Sequence, residues 1–400
     1  MSINYQQVFD QVRQMVRGQQ EAQQELAERQ QAAAQALGVF AYNATQIADR
    51  VDQARISDPG LRCAQPTEET ITATFPPPAR QEGIVLIAAD GSQIMPDRHG
   101  PARYGLINTG AIVIRLGSGE APKTVVESSL LSSEQLVAAN GMPISDAMLG
   151  LMRDTEERIT LLGLVEEASQ PGNCVISLSD GPLELWGRRE GPEALLFEQN
   201  LRKYLSALSQ IRDLGGIVAG YIDRPGANPV VRMLELSIAG EQDLASFNKF
   251  HPLEGVSDQW LFGKGGKLLQ PAHRSALFRL RSKAEEDYSG SFEIHFFYLN
   301  VSDDPRDAQI ARVEVPAWVA GDPDALGQVH ACVMEQCGLL GARPFPYILH
   351  RAHEIAVVSH EEKKQIDEIF QVESLNQAQG YGTTSNKQTA KDAIGRTRYG

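Results

Sequence analysis

The order of apolar runs between residues 83 and 227 limits the folds open to this chain more than any other feature. Three apolar runs come first, over residues 83–94, 103–116 and 123–131, and short connections separate them. Strands joined by short connections are typical of an antiparallel meander. We therefore expect three strands that pair in chain order.

The rest of this region alternates between helical and strand patterns. Apolar residues recur on one helix face over about 145–168 and 192–213, and apolar strands are predicted over 173–185 and 215–227. The predicted order is β-β-β-α-β-α-β. Three meander strands followed by alternating helices and parallel strands predict an α/β fold with a ribonuclease H-like mixed sheet and flanking helices.

The segments around this region suggest how the chain is organised. Residues 1–75 are predicted to be a helical N-terminal arm, since residues 5–35 are rich in Gln, Glu, Ala and Arg and keep their larger apolar residues on one face. A main domain is predicted over 80–372, with 228–292 as an elaboration within it. Residues 376–400 are polar and rich in Gly, and they are predicted to be a disordered tail.

Composition and charge exclude several classes of protein. There are 37 Lys and Arg against 51 Asp and Glu, and this net charge of −14 argues against coating nucleic acid or anionic lipid by bulk charge. No apolar run reaches the roughly 20 residues of a membrane span, and the start has no features of a secretory signal. The four cysteines form no CxxC pair. We therefore expect a cytoplasmic protein with no membrane association.

Two glycine-rich runs resemble nucleotide-binding loops but do not match them. GSGEAP, residues 117–122, has Pro122 where the third glycine of a dinucleotide fingerprint belongs. GKGGKL, residues 263–268, has Leu268 where a P-loop needs Ser or Thr. The sequence therefore predicts no nucleotide-hydrolysing motor.

Two aspartates end apolar strands and are each followed by glycine. They are Asp90 and Asp180. In the predicted topology their strands are neighbours, and ligands of open α/β sheets bind at the carboxyl ends of strands. The alternative is that each aspartate caps a turn or a helix. Two such residues at adjacent strand ends favour a site for a hard divalent cation.

The long helix between these strands offers a third carboxylate. Its predicted apolar stripe consists of Met148, Leu149, Met152, Ile159 and Leu162. Glu156 falls on that stripe, where an isolated charge is costly unless it is paired or binds metal. Glu157 falls on a face with Leu161 and Leu164. We choose Glu156 first and Glu157 second, and the alternative is a solvated pair.

A histidine completes the predicted metal site. His353 lies three residues after His350, on the same side of a short predicted helix. The alternative is a structural histidine. Three carboxylates and an imidazole suit Mn²⁺ or Mg²⁺, and two such ions about 4 Å apart can promote hydrolysis of a phosphodiester.

Basic residues at two places are candidates for contacts with a nucleic-acid backbone. Lysine and arginine side chains along a channel can follow the phosphates of a strand. The alternative for each one is a solvated surface charge. The candidates are Arg188, Arg189, Arg274, Arg279, Arg281 and Lys283.

Seven segments occur in the order seen in a known family. They are IAADGSQI, the acidic residue of MRDTEER, VISLSDGPLEL, GYIDRP, HRSALF, IHFFYLNV and PYILHRAHEIAVVS. No single segment is specific, but the ordered set is. Over about residues 83–359 the chain resembles the NurA-domain nucleases in their bacterial form.

This resemblance implies a function and partners. It implies a homodimer with a ribonuclease H-like core, Mn²⁺ as the cofactor, and DNA as the substrate. The implied activities are 5′ to 3′ degradation and single-strand cutting. The implied partner is HerA, a hexameric ATPase that translocates DNA during end resection of double-strand breaks. The predicted domain over 80–372 would then be a NurA-like nuclease domain.

The resemblance also assigns residues. By position, it places the metal-binding residues of the family on Asp90, Glu156 or Glu157, Asp180 and His353. It places a residue near the site at Tyr221 or Asp223. A second function class stays open, a catalytically silent subunit that binds and regulates a DNA-translocating ATPase. The complete set of ligands favours the enzyme, since a silent relative is expected to have lost one.

Overall fold

A computed structural model describes residues 3–97, 102–244, 246–266, 268–341 and 343–376. The disordered tail predicted over 376–400 lies outside the described residues from 377 onward. None of the described helices has the length and apolarity that crossing a membrane requires.

The strands of the described residues are named in chain order. They are β1 (Cys63–Pro66), β2 (Thr74–Phe75), β3 (Ile84–Ile94), β4 (Gly105–Arg115), β5 (Lys123–Leu131), β6 (Cys174–Asp180), β7 (Ile217–Ile222), β8 (Arg274–Ser275), β9 (Phe278–Arg281), β10 (Ile294–Asn300) and β11 (Ile310–Pro316).

The α-helices of the described residues are named in the same way. They are α1 (Tyr5–Val39), α2 (Ala44–Ser57), α3 (Asp146–Ala168), α4 (Ala194–Asp213), α5 (Pro229–Ile238), α6 (Glu241–Leu244), α7 (Asp258–Phe262), α8 (Ala317–Ala320), α9 (Pro323–Gly338), α10 (Tyr347–Ala356) and α11 (His360–Asn376).

The chain divides into two compact units. The first consists of the described residues within 1–80, 181–183 and 219–346, and the second of those within 81–180, 184–218 and 347–400. The predicted arm, 1–75, and the predicted elaboration, 228–292, fall in the first unit. The predicted nuclease domain over 80–372 has residues in both units.

The second unit is built on the predicted meander. β3, β4 and β5 pair antiparallel in chain order, and β6 pairs parallel with β3 on its other side. Residues 84–89 of β3 are buried because α3 and α10 both pack on this sheet. The expected mixed sheet with flanking helices is therefore confirmed.

α10 packs directly on the backbone of the meander. A Cβ at Gly110 of β4 would fall on backbone atoms of Ile355 and Ala356. The carbonyl of Ala356 accepts hydrogen bonds from Nδ2 of Asn108 at 2.8 Å and from Oγ of Ser92 at 2.6 Å. These contacts fix the end of α10, and thereby the height of its side chains above the sheet.

The first unit contains its own sheet and an aromatic core. Its strands lie in the order β1-β9-β10-β11-β7, all antiparallel, so the predicted arm contributes β1 to a sheet as well as two helices. Phe262 stacks on Tyr298 at 4.6 Å between ring centroids. The hydroxyl of Tyr298 donates to the fully buried carboxylate of Asp258 at 2.5 Å.

Candidate active site

The parallel pairing of β3 and β6 brings two aspartates to one edge of the sheet. The register ends at Ala89 opposite Ser179, and Asp90 and Asp180 are the next residue of each strand. The side chain of Asp90 is 17% exposed, whereas Asp180 is exposed. Gly181 follows with φ of 99°, a left-handed conformation that favours glycine and ends the strand there. The strand therefore ends at Asp180, as the sequence predicts.

A histidine from the far end of the chain joins Asp90. Nδ1 of His353 lies 2.7 Å from Oδ2 of Asp90. An ionised carboxylate only accepts hydrogen bonds, so Nδ1 donates and Nε2 stays available to another ligand. A carboxylate partner of this kind fixes the orientation of a metal-binding imidazole.

Glu157 lies over Gly91, the residue that follows Asp90 in β3. A Cβ at Gly91 would lie 2.6 Å from Oε1 of Glu157 and 2.5 Å from Cγ of Arg153, so only glycine fits under these side chains. The Glu157 side chain is 12% exposed, and its Oε1 lies 3.2 Å from Nε of Arg153. This oxygen accepts no hydrogen bond from the described residues.

The environment of Glu157 opposes its ionisation. Burial raises the pKa of the Glu157 carboxyl well above its usual value, and the negative charges of Asp154 and Asp90 raise it further. Arg153 and Arg158 lower the pKa of Glu157 by smaller amounts. A buried carboxylate that faces other carboxylates is stabilised in its charged form by a bound cation.

Glu156 and Glu157 are not equivalent in this arrangement. Successive residues of an α-helix point about 100° apart, so only one of the two can face Gly91. Glu157 does so, and Glu156 is half-buried on the neighbouring side of α3. The predicted apolar stripe is wrong at Ile159, which is 37% exposed.

The buried face of α3 includes polar residues that hydropathy does not detect. The hydroxyl of Thr155 donates to the carbonyl of Leu151 at 2.9 Å. Nη2 of Arg158 donates to Oγ of Ser179 at 2.9 Å and to the hydroxyl of Tyr204 at 3.0 Å. Arg158 therefore holds the end of β6, one residue before Asp180. Sequence reasoning missed both Arg153 and Arg158, and the only available signal was their position around Glu157.

The donor set fits a hard divalent cation. No group of three or more His, Cys, Asp or Glu side chains among the described residues is close enough to form a ready metal site. The residue types nevertheless match, because carboxylates and an imidazole suit Mn²⁺ and Mg²⁺. The buried Oε1 of Glu157 has an ion pair with Arg153 but accepts no hydrogen bond from the described residues, and it is the feature that a cation would satisfy.

Comparison with known proteins identifies the family. The model of the NurA domain matches residues 84–358, well over half of the chain. The chain belongs to the NurA domain family. The match includes Asp90, Glu157, Asp180 and His353 and leaves out α1 and α2. Family membership supports a nuclease, a hydrolase.

Solved structures resemble the chain at low sequence identity. The NurA nuclease from Sulfolobus solfataricus is 14% identical, with 85% of this chain and 97% of that chain covered and a TM-score of 0.42. A second NurA structure is 11% identical, with 72% and 88% covered and a TM-score of 0.38. The catalytic domain of human endonuclease V is 15% identical, with 82% and 97% covered and a TM-score of 0.32. No curated protein sequence matches the chain.

Three of the predicted phosphate-binding arginines of this NurA-family protein have internal partners instead. Arg274 is buried, forms ion pairs with both carboxylate oxygens of Glu69 and stacks over Phe75. The other two guanidinium groups are also paired with carboxylates. Arg279 pairs with Glu285 and Glu293, and Arg281 pairs with Asp52 and Glu285. The ion pairs of these three guanidinium groups stabilise the fold, and their role in a phosphate channel stays a prediction.

The other candidates differ in their surroundings. Arg188 and Lys283 are exposed, and the guanidinium of Arg189 lies 5.3 Å from the ring centroid of Phe197. Tyr221 is fully buried in the first unit, edge-on to Phe345 at 5.5 Å. Asp223 is exposed and lines a cavity of the first unit.

Proposed function

We propose that this NurA-family protein is a metal-dependent deoxyribonuclease. Asp90, Glu157, Asp180 and His353 would hold Mn²⁺, with Mg²⁺ as the alternative and two ions expected. The observation that carries the proposal is the buried Oε1 of Glu157, which lies over Gly91 and accepts no hydrogen bond from the described residues, with Arg153 as its ion-pair partner. The charge of Asp90 also acts on this carboxyl and raises its pKa. Glu156 is the second choice for the helix ligand.

The residues around these ligands prepare the site. Divalent ions bound here would polarise the scissile phosphate and stabilise the negative charge of the leaving oxygen. Asp90 orients the imidazole of His353 through Nδ1. Arg153 partly offsets the charge of Glu157, and Arg158 fixes the end of the strand that carries Asp180.

The substrate and partners follow from the family. We propose single-stranded DNA and duplex ends as substrates, with 5′ to 3′ exonuclease and single-strand endonuclease activity in double-strand break processing. The proposed partner is a HerA-type hexameric ATPase, and the proposed assembly is a homodimer in the cytoplasm. The absence of a matching P-loop in the sequence supports a nuclease that depends on a separate motor.

Cleavage of labelled DNA tests the proposal. Single- and double-stranded substrates are incubated with the full-length protein and Mn²⁺, Mg²⁺ or EDTA, beside Asp90→Ala. We expect cleavage with Mn²⁺, none with EDTA, and none from Asp90→Ala. Metal-dependent cleavage that survives Asp90→Ala would contradict the site. If no metal supports cleavage even with the ATPase present, the chain is a silent, regulatory subunit.

A further inference from the structure

A cavity of about 490 Å³ lies in the first unit, next to the end of β7. Its volume is within the roughly 300–1,000 Å³ of small-molecule sites. Its walls come from the loop after β7, from α7 and the turn that follows, and from the start of β11. An indole, two amides and charged groups line it, namely Trp260, Gln259, Gln309, Arg224 and Lys264.

Two glycines of the GKGGKL run, which does not match a P-loop, hold the indole of Trp260 in place. Backbone N–H groups of Gly265 and Gly266 both donate to the carbonyl of Trp260 at 3.2 Å. A Cβ at Gly265 would fall on Cε2, Cζ2 and Nε1 of the Trp260 ring. The backbone of Gly265 therefore presses on the indole, and only glycine allows this approach. Trp260 is held by this turn, is half-buried and contributes to the lining of the cavity.

The charged groups of the cavity are near the strand end. Arg224 has φ of 45°, a left-handed backbone that non-glycine residues rarely adopt and that is found repeatedly at functional sites. Its guanidinium forms no hydrogen bond or ion pair with the other described residues. Lys264 is exposed and pairs with Asp307 at 3.0 Å, and Asp223 adds a second carboxylate. The cavity is therefore balanced in charge, which favours a site for a base with one adjacent phosphate over a site for many phosphates.

We propose that this cavity is a nucleotide subsite for single-stranded nucleic acid, in which Trp260 stacks on one base and Arg224 contacts a phosphate. Stacking on an aromatic ring accepts any base, and arginine matches phosphate geometry. The amides of Gln259 and Gln309 offer donors and acceptors to the base edge, and Gln259 is oriented by its bond to the carbonyl of Pro225 at 2.8 Å. The subsite rests on the proposed nuclease function, which supplies the strand.

Binding measured without metal tests the subsite. The affinity of the full-length protein for a short fluorescein-labelled oligothymidine is measured by anisotropy in EDTA. We expect Trp260→Leu to bind about tenfold more weakly or worse, Trp260→Phe to retain most of the affinity, and Arg224→Ala to lose several-fold. Arg306→Ala is the matched control, because Arg306 is 89% exposed and pairs only with Asp304 among the described residues. Each variant is first checked for an unchanged melting temperature.

Binding to a blunt-ended DNA duplex of the same length separates the contribution of base stacking to the affinity from that of charge. Its bases are already stacked on each other, so Trp260→Leu should bind it as the wild type does. Equal losses for duplex and single strand, or no loss for either, would overturn the subsite. Photo-crosslinking of an oligonucleotide that contains 5-iododeoxyuridine gives a second measurement on the wild type. The crosslinked peptide should contain Trp260, and crosslinks confined to other peptides would overturn the proposal.

The two proposals fail separately in these experiments. A wild type that cleaves DNA with Mn²⁺ but whose affinity does not depend on Trp260 overturns the subsite alone. A Trp260-dependent affinity in a protein that cleaves nothing with any metal overturns the nuclease proposal alone.

Discussion

Nδ1 of His353 lies 2.7 Å from Oδ2 of Asp90, although 263 residues separate them in the chain. β3 continues to Ile94, so Asp90 does not end its strand as predicted, but it lies where the parallel pairing with β6 stops. α10 places the imidazole next to this carboxylate. The position of α10 depends on its packing against β4, where Asn108 and Ser92 bind the carbonyl of Ala356. The pair is therefore a product of tertiary packing and not of a local motif.

Replacing His353 tests whether this imidazole binds metal. We expect His353→Asn to weaken Mn²⁺ binding about 10- to 100-fold, the range seen for partners of metal ligands. The measurement is isothermal titration with Mn²⁺ in the absence of DNA. His350→Asn on the same helix, whose ring lies 3.5 Å from Glu354, is the matched control and should bind like the wild type. Equal losses in both variants would contradict the role of His353.

The two adjacent glutamates can be separated by conservative variants. Glu157→Gln removes the carboxylate that a bound cation would use, so we expect cleavage with Mn²⁺ to fall at least about a hundredfold, since even outer-shell groups of metal sites are worth roughly 10- to 100-fold. Glu156→Gln should change the rate by less than about threefold because its side chain points away from Gly91. Initial rates on labelled single-stranded DNA decide between them. The opposite order would move the ligand to Glu156.

Close packing of α10 makes Gly110 sensitive to one methyl group. Gly110→Ala would drive a Cβ into the backbone at Ala356, and overpacking of this kind costs about 1–3 kcal/mol. We expect a lower free energy of unfolding in urea and weaker Mn²⁺ binding, because His353 moves with α10. Gly163→Ala is the control, since its Cβ meets nothing within 4 Å. It should stabilise α3 by about 0.5–1 kcal/mol.

Much of the second unit follows from hydropathy, because buried strands and one-sided helices leave periodic signals. The strand expected over 123–131 is β5 residue for residue, and the helix expected over 145–168 begins at Asp146. Hydropathy did not predict which of Glu156 and Glu157 faces Gly91. Arg158 occupies the buried face, where its guanidinium is satisfied by Ser179 and Tyr204 from distant elements. A sequence pattern cannot show that such a charge has partners.

Sequence patterns also could not show that the arginines predicted to contact DNA have carboxylate partners within the fold. Arg274 and Glu69 are 205 residues apart and meet only through the fold of the first unit. Nothing near either residue in the sequence indicates the pair. A cluster of basic residues in a sequence indicates a surface patch, because the sequence does not show which acidic residues lie near it in the fold.

Internal pairing of Arg274 predicts a role in stability. Arg274→Met leaves the carboxylate of Glu69 without its cation, and breaking a buried pair costs about 3–5 kcal/mol. Because Glu69 is partly exposed and water can reach it, the lower end of this range is expected. Lys283→Met, at an exposed position, should stay within about 0.5 kcal/mol of the wild type. Urea unfolding measures both, and equal stabilities of the two variants would contradict the structural role of Arg274.

Asp258 makes the stability of the first unit depend on pH. Burial raises the pKa of its carboxyl from 3.8 to about 6, against the lowering effect of hydrogen bonds from Tyr298, Val230 and Val231. A raised pKa means that the folded state holds a proton that the unfolded state releases, so the stabilisation is complete below about pH 4 and is lost as the pH rises through 6. The difference amounts to about 3 kcal/mol at most.

The variant Asp258→Asn isolates this dependence. It removes the titrating group but keeps an acceptor for one backbone N–H. The variant is therefore less stable, but residue 258 no longer makes the free energy of unfolding depend on pH. We expect the wild type to lose stability relative to Asp258→Asn between about pH 4 and pH 7, and the gap to stay constant above about pH 7, because all other titrating groups are shared. Urea unfolding at each pH provides the two curves. Curves that run parallel from pH 4 to pH 8 would show that Asp258 ionises at its ordinary pKa, with its three hydrogen bonds balancing the effect of burial.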